Sequence, residues 1–166
     1  MKFGLMVIDL QKAWYEGASK ASMDSACEYI NGILPAFRSA ALPVVWVQHR
    51  EDGEGASPGE PGFDFIDALK PLEGEFRITK TYGNSFNKTD CARILRERGV
   101  DTVVITGYCA EYCVLSTCRG AEDQDFLPVI LRGAIASGSE ENRRFVESVS
   151  DVISYEVLAR LLKDSR

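Results

Sequence analysis

Asp101-Thr102-Val103-Val104-Ile105-Thr106 runs directly into Gly107-Tyr108-Cys109-Ala110-Glu111-Tyr112-Cys113-Val114. The centre of the first stretch is β-branched and apolar with no polar alternation. That is the pattern of a strand buried on both faces of a parallel sheet. The glycine breaks the run, and a helical pattern follows from about residue 112 to 123. A buried strand that hands over to a helix is the first half of a βαβ unit.

The rest of the chain repeats this alternation. Residues 3–10 form an apolar run that reads as a buried strand, and residues 43–49 (PVVWVQH), 75–80 and 127–131 read likewise, with a short last strand at 151–153. Apolar residues at helical spacing occupy 23–41 (Ala26, Ile30, Ile33, Leu34, Phe37), and Pro43 lies just beyond. A helix over 89–98 has Thr89 or Asn87 as its cap and Gly99 as its stop. Further helical patterns cover 139–149 and 155–163. The alternation predicts an α/β fold: a single-domain three-layer α/β/α arrangement over residues 1–166, with a mostly parallel, Rossmann-like sheet of about six strands. A chain of 166 residues can bury such a core without metals or disulfides. Residues 51–62 (EDGEGASPGEPG) predict a surface loop, either a lid over a site or an oligomer contact.

Lys and Arg total 19 against 25 Asp and Glu, a net charge of −6, which argues against a general nucleic-acid binder. No run of 18 apolar residues predicts a membrane span. The amino-terminal apolar segment is too short for a signal peptide and lacks a cleavage site, so a cytoplasmic protein is expected. The five cysteines are odd in number, which speaks against a disulfide framework. Cys27 and Cys91 fall inside helical patterns and read as small core residues. The expected partner is a small-molecule substrate, with neither nucleic acid nor membrane. An exposed sheet edge and apolar helices near the carboxyl terminus predict a homo-oligomer.

In open α/β sheets, ligands bind in the crevice outside the carboxyl ends of the strands. Three of those ends carry reactive groups: Asp9 after the first strand, Lys80 at the end of the third, and Cys113 near the helix start after the fourth. A thiol at a helix start meets unpaired N–H groups and the positive end of the macrodipole, which predicts a lowered thiol pKa. Those N–H groups can also hold an oxyanion. His49 is the only histidine. Asp9 is the natural proton carrier, with Lys80 as its cationic partner. Trp14, His49, Tyr82, Phe86 and Tyr108 are candidate pocket walls. Arg50 and Arg77 are candidate carboxylate ligands. Cys109, four residues before Cys113, is either a packing residue or a resolving thiol.

Together these segments resemble the isochorismatase-like cysteine hydrolases, a family that includes nicotinamidases and N-carbamoylsarcosine amidohydrolase. Val7-Ile8-Asp9-Leu10-Gln11 is similar to the family's opening strand, with Trp14 at its usual aromatic position. Lys80 to Phe86 is similar to its Lys…Ser-x-Phe segment, here Ser85-Phe86 directly, and Gly107 to Val114 to its glycine-to-Cys-Val loop. The resemblance implies a triad of Cys113 as nucleophile, Asp9 as general base and then acid, and Lys80 as electrostatic partner. It also implies a non-proline cis peptide at Tyr108–Cys109 that aims the Cys109 and Cys113 N–H groups at the oxyanion.

Two departures narrow the expectation. Nicotinamidases bind a metal through an Asp and paired histidines, and a single histidine leaves that set incomplete, so no metal and no cofactor are expected. Members named for isochorismate hydrolysis typically lack the nucleophilic cysteine, whereas Cys113 is present. Hydrolysis of an amide or ureido C–N bond is the leading expectation. The alternatives are a thiol redox or sensing protein using Cys109, Cys113 and Cys118, and an idle scaffold of the same fold.

Overall fold

The computed structural model describes residues 1–164, so the last two residues of the expected domain lie outside it. Six strands form one all-parallel sheet: β1 (Phe3–Ile8), β2 (Val44–His49), β3 (Phe76–Lys80), β4 (Thr102–Tyr108), β5 (Leu127–Ala136) and β6 (Val152–Ile153). Their spatial order is β3-β2-β1-β4-β5-β6. The order reverses at β1, so a crevice opens between the carboxyl ends of β1 and β4. Five helices cover the sheet: α1 (Gly17–Ser39), α2 (Cys91–Glu97), α3 (Leu115–Glu122), α4 (Glu140–Ser148) and α5 (Tyr155–Asp164). No helix among the described residues is long and apolar enough to cross a membrane.

Side chains alternate across the strands with period two. On β1, Phe3, Leu5 and Val7 face one core with Ile30, Ile33 and Phe37 of α1 and Leu158 and Leu162 of α5. Met6 and Ile8 face a second core with Leu95 of α2, Val114 and Cys118 beside and on α3, and Val146 of α4. Every β1 residue is buried, which is why the sequence there shows no polar alternation. Cys27 and Cys91 are free and buried in these two cores.

Most elements shift by one or two residues from their predicted bounds, α2 being capped at Asp90 rather than at Thr89 or Asn87, and three differ more. Helix α1 begins six residues earlier, at Gly17 rather than Met23. Its first turns carry Ala18, Ala21 and Ser22, which line a shallow groove instead of the core and so lack apolar periodicity. It ends with Ala41 at φ +53 and a Leu42 N–H to Phe37 carbonyl bond, a left-handed cap without glycine. Strand β5 continues past Leu131 to Ala136: the register shifts after Ile105–Ile130, an irregularity that spans Arg132 and Gly133, and pairing with β4 resumes at Gly107–Ile135. The helix expected from residue 112 opens with a π-helical turn, Ala110–Val114, and α3 proper starts at Leu115.

Gly107 shows why β4 must carry a glycine at its end. Its φ is +122, and a Cβ there would lie 2.1 Å from the Ile8 carbonyl oxygen. Only a residue without Cβ lets the end of β4 press against the end of β1.

Candidate active site

Asp9 follows β1 in a left-handed conformation, φ +51, uncommon for a residue other than glycine. Its N–H still bonds to the Val47 carbonyl, and the turn swings its carboxylate across β2 towards β3. There Lys80, the last residue of β3, places Nζ 2.6 Å from Asp9 Oδ2. Both side chains are buried. The contact is an ion pair off the hydrogen-bond axis, and neither Asp9 oxygen has a well-aligned donor in the protein.

Lys80 Nζ also donates to Cys113 Sγ at 3.3 Å and lies 3.1 Å from His49 Nδ1. An ammonium has donors only, so Nδ1 must accept and the ring is the neutral Nε2–H tautomer. Burial first, then the Lys80 charge, hold His49 below its ordinary value, which agrees with a neutral ring. Its Nε2 points to Glu51, 3.6 Å from Oε2. The Lys80 ammonium thus lies against a carboxylate, an imidazole and a thiol. Ligand atoms of Asp9, His49 and Cys113 lie within 4.8 Å of one another, the geometry of a cation site, and the ammonium fills it.

The thiol corrects one expectation. Burial and then the Asp9 carboxylate push Cys113 up to about 12, against the opposing pull of Lys80. Burial likewise raises Asp9, with Lys80 opposing. Two acids share one cation, so ionising both leaves an uncompensated buried charge. The lowered thiol pKa predicted for a helix start does not hold, because burial and then the Asp9 carboxylate outweigh the pull of Lys80. Cys113 rests as a thiol.

The peptide bond between Tyr108 and Cys109 is cis. The Cys109 carbonyl accepts from the Tyr112 and Val114 N–H groups, which bends the chain into the turn carrying Cys113. Cys109 Sγ donates to Glu111 Oε2 at 3.1 Å, and burial with Glu111 pushes this thiol too up to about 12. Cys118 lies in the core below, away from both.

A cavity of about 340 Å³ opens over these groups, lined by Asp9, Trp14, His49, Glu51, Tyr108, Cys109, Glu111, Tyr112, Cys113 and Gly138. Trp14 and His49 rings stand 6.0 Å apart, and Tyr108 Oη is held by Ser19 Oγ at 3.1 Å. Of the predicted walls, Trp14, His49 and Tyr108 are in place. Tyr82 and Phe86 are not among the lining residues. Tyr82 is an exposed residue against Lys88. Phe86 is buried and stacks on Phe126, 5.7 Å between centroids, in the second core. The Ser85-Phe86 pair serves architecture instead: Ser85 bonds through N–H and Oγ to Thr117 Oγ1 on α3, tying the segment after Lys80 to the helix after Cys113.

Neither candidate arginine reaches the cavity. Arg50 pairs with Asp52 at 2.8 Å, and Arg77 lines a separate surface depression with Thr79 and Asp90. Glu51 and Glu111 were not singled out from the sequence, nor was the role of Gln11. Gln11 is fully buried. Its Nε2 donates to the His49 and Phe63 carbonyls, both at 3.0 Å, and its Oε1 accepts the His49 N–H at 2.7 Å. It locks the end of β2 to the end of β1. The loop 51–62 contributes Glu51 to the cavity wall and folds back through a Glu51–Ala56 bridge.

The isochorismatase domain family model matches residues 4–148. An uncharacterized isochorismatase family protein of Bacillus subtilis, YddQ, is 30% identical over 142 residues, covering 82% of this chain and 79% of the relative. The ureidoacrylate amidohydrolase RutB of Methylorubrum extorquens is 25% identical, covering 92% of this chain and 80% of that protein. Among solved structures, N-carbamoylsarcosine amidase of Thermoplasma acidophilum superposes with a TM-score of 0.82 at 25% identity, covering 94% of this chain and 98% of that one.

Proposed function

The chain belongs to the isochorismatase domain family, and on that premise we propose that it is a cysteine hydrolase of a small amide or ureido compound, acting through a thioester on Cys113. Two of its relatives are named as an amidohydrolase and an amidase, which supports C–N rather than vinyl-ether chemistry. The observation that carries the reading is the reach of one buried ammonium, Lys80, to both Asp9 and Cys113.

The resting thiol is neutral, so proton loss and attack are coupled. Asp9 takes the thiol proton as Cys113 Sγ bonds to the carbonyl carbon. The oxygen, now negative, is received by the backbone N–H groups of Cys109 and Cys113. Asp9 then gives the proton to the leaving nitrogen, the C–N bond breaks and a thioester remains. Water attacks the thioester carbonyl carbon, Asp9 accepts the water proton and returns it to the departing sulfur. One water is consumed, and an acid and an amine are released. Lys80 keeps one positive charge beside whichever group is anionic at each step. A redox-sensing pair depends on thiolate character, and Cys109 and Cys113 are both thiols here, which weighs against the sensing alternative.

The test is acyl-enzyme trapping. The protein is mixed with primary amides and ureides, quenched in acid within seconds and weighed intact. An adduct on Cys113 that accumulates with a poor nucleophile and is absent in Cys113→Ala supports the reading. Turnover undiminished in Cys113→Ala ends it.

A further inference from the structure

The proposed chemistry uses one carboxylate and one ammonium, yet the cavity holds more negative charge than that. Among its described lining residues, Asp9, Glu51 and Glu111 are acids, Trp14, Tyr108 and Tyr112 are large aromatics, and none is Lys or Arg. Lys80, behind the wall, offsets only Asp9. The His49 ring beside Glu51 is neutral because its Nδ1 faces the Lys80 ammonium, so it cancels nothing. Glu111 is pressed upward by burial, but bonds from Asn142 Nδ2 (2.8 Å) and Cys109 Sγ (3.1 Å) more than offset this and hold it ionised.

The cavity floor offers no spare cation to an anionic ligand. Asp9 is buried there, and its partner, the Lys80 ammonium 2.6 Å away, is already shared with Cys113. A carboxylate-bearing substrate would find no arginine fork to receive it, since Arg50 is turned to Asp52 and Arg77 lies elsewhere. It would also face two uncompensated carboxylates. An ammonium or guanidinium group finds the reverse: carboxylates at Glu51 and Glu111 and the faces of aromatic rings.

We infer that the substrate is a cationic amide or ureide, whose C–N carbonyl meets Cys113 while an ammonium or guanidinium group at its other end is received by Glu51, Glu111 and the aromatic wall. The inference rests on the hydrolase reading for the reacting group and on the charge of the cavity for the rest.

The test separates the two. Rates of Cys113 modification are measured by peptide mass spectrometry with three methanethiosulfonates: trimethylammonioethyl (cation), methyl (neutral) and sulfonatoethyl (anion). Each rate is divided by that of a free small thiol. Two nearby carboxylates in a partly screened site predict a cation-to-anion preference of about tenfold or more at low ionic strength, shrinking in high salt. Glu51→Gln and Glu111→Gln each shrink it further. A normalised ratio at or below one in the unmodified protein overturns the inference, whatever the variants do. In parallel, hydrolysis is compared for three primary amides of equal length ending in an amine, a hydroxyl or a carboxylate. Preference for the carboxylate overturns the inference and leaves the hydrolase reading standing. Cation-selective labelling with no hydrolysis of any amide or ureide overturns the hydrolase reading and leaves the charge selection standing.

Discussion

Lys80 Nζ stands 2.6 Å from Asp9 Oδ2 with both side chains shut away from solvent, and among the described residues they are the only buried full charges. Removing one partner leaves the other buried and uncompensated. Lys80→Met is expected to lower stability by about 3–5 kcal/mol. Lys80→Met combined with Asp9→Asn should recover much of that loss in urea denaturation while remaining inactive. A double variant no more stable than the single would mean the pair is not coupled.

The two raised acids set the pH behaviour. Asp9 is raised above 3.8 by burial, so just above 3.8 the folded protein keeps a proton that the unfolded chain has released. Its contribution to stability is therefore fully present below 3.8 and falls as pH rises towards the folded value. Asp9→Asn should flatten that segment of a stability–pH curve.

For the thiol, a value of about 12 predicts slow alkylation of Cys113 at neutral pH. Limiting iodoacetamide followed by intact-mass analysis should show labelling that climbs with pH through 9 and beyond. A plateau reached by pH 7 would contradict a resting thiol.

Phe86 distinguishes core from cavity. Phe86→Ala should cost about 3–5 kcal/mol by emptying the stack on Phe126. The KM of the folded fraction should stay unchanged, because Phe86 does not line the cavity. A raised KM at unaltered stability would return Phe86 to the substrate wall.

Gln11 tests the frame under His49. Gln11→Ala strips one acceptor and two donor contacts from buried backbone groups. An unmet buried group costs about 1–3 kcal/mol, so a loss of at least that size is expected in thermal unfolding. His49→Asn, which can still present an acceptor to Lys80, should retain more activity than His49→Leu.

The positions of Asp9, Lys80 and Cys113 were legible because apolar runs locate strand ends, and a parallel sheet gathers strand ends on one edge. Trp14, His49 and Tyr108 followed from the same rule. The π-helical turn was not legible, since one extra residue in a helix start changes no composition or period. Phe86 misled because an aromatic beside a site and an aromatic in a core look alike until the neighbour, Phe126, is known. Glu51 and Glu111 were invisible for a simpler reason: an isolated acid in a loop carries no periodic signal, and only the folded cavity shows which acids face inward. The start of α1 was missed because small residues facing a groove mimic a loop.

The alternation along β1 has a consequence beyond packing. Phe3, Leu5 and Val7 belong to one apolar layer and Met6 and Ile8 to the other, so the strand is read by parity. A single-residue insertion near its start would exchange the two sets and carry the carboxylate of Asp9 away from Lys80 in the same stroke. Interior packing and the placement of Asp9 are written in the same six residues, and selection for a well-packed interior holds that carboxylate in position without any pressure on the chemistry itself.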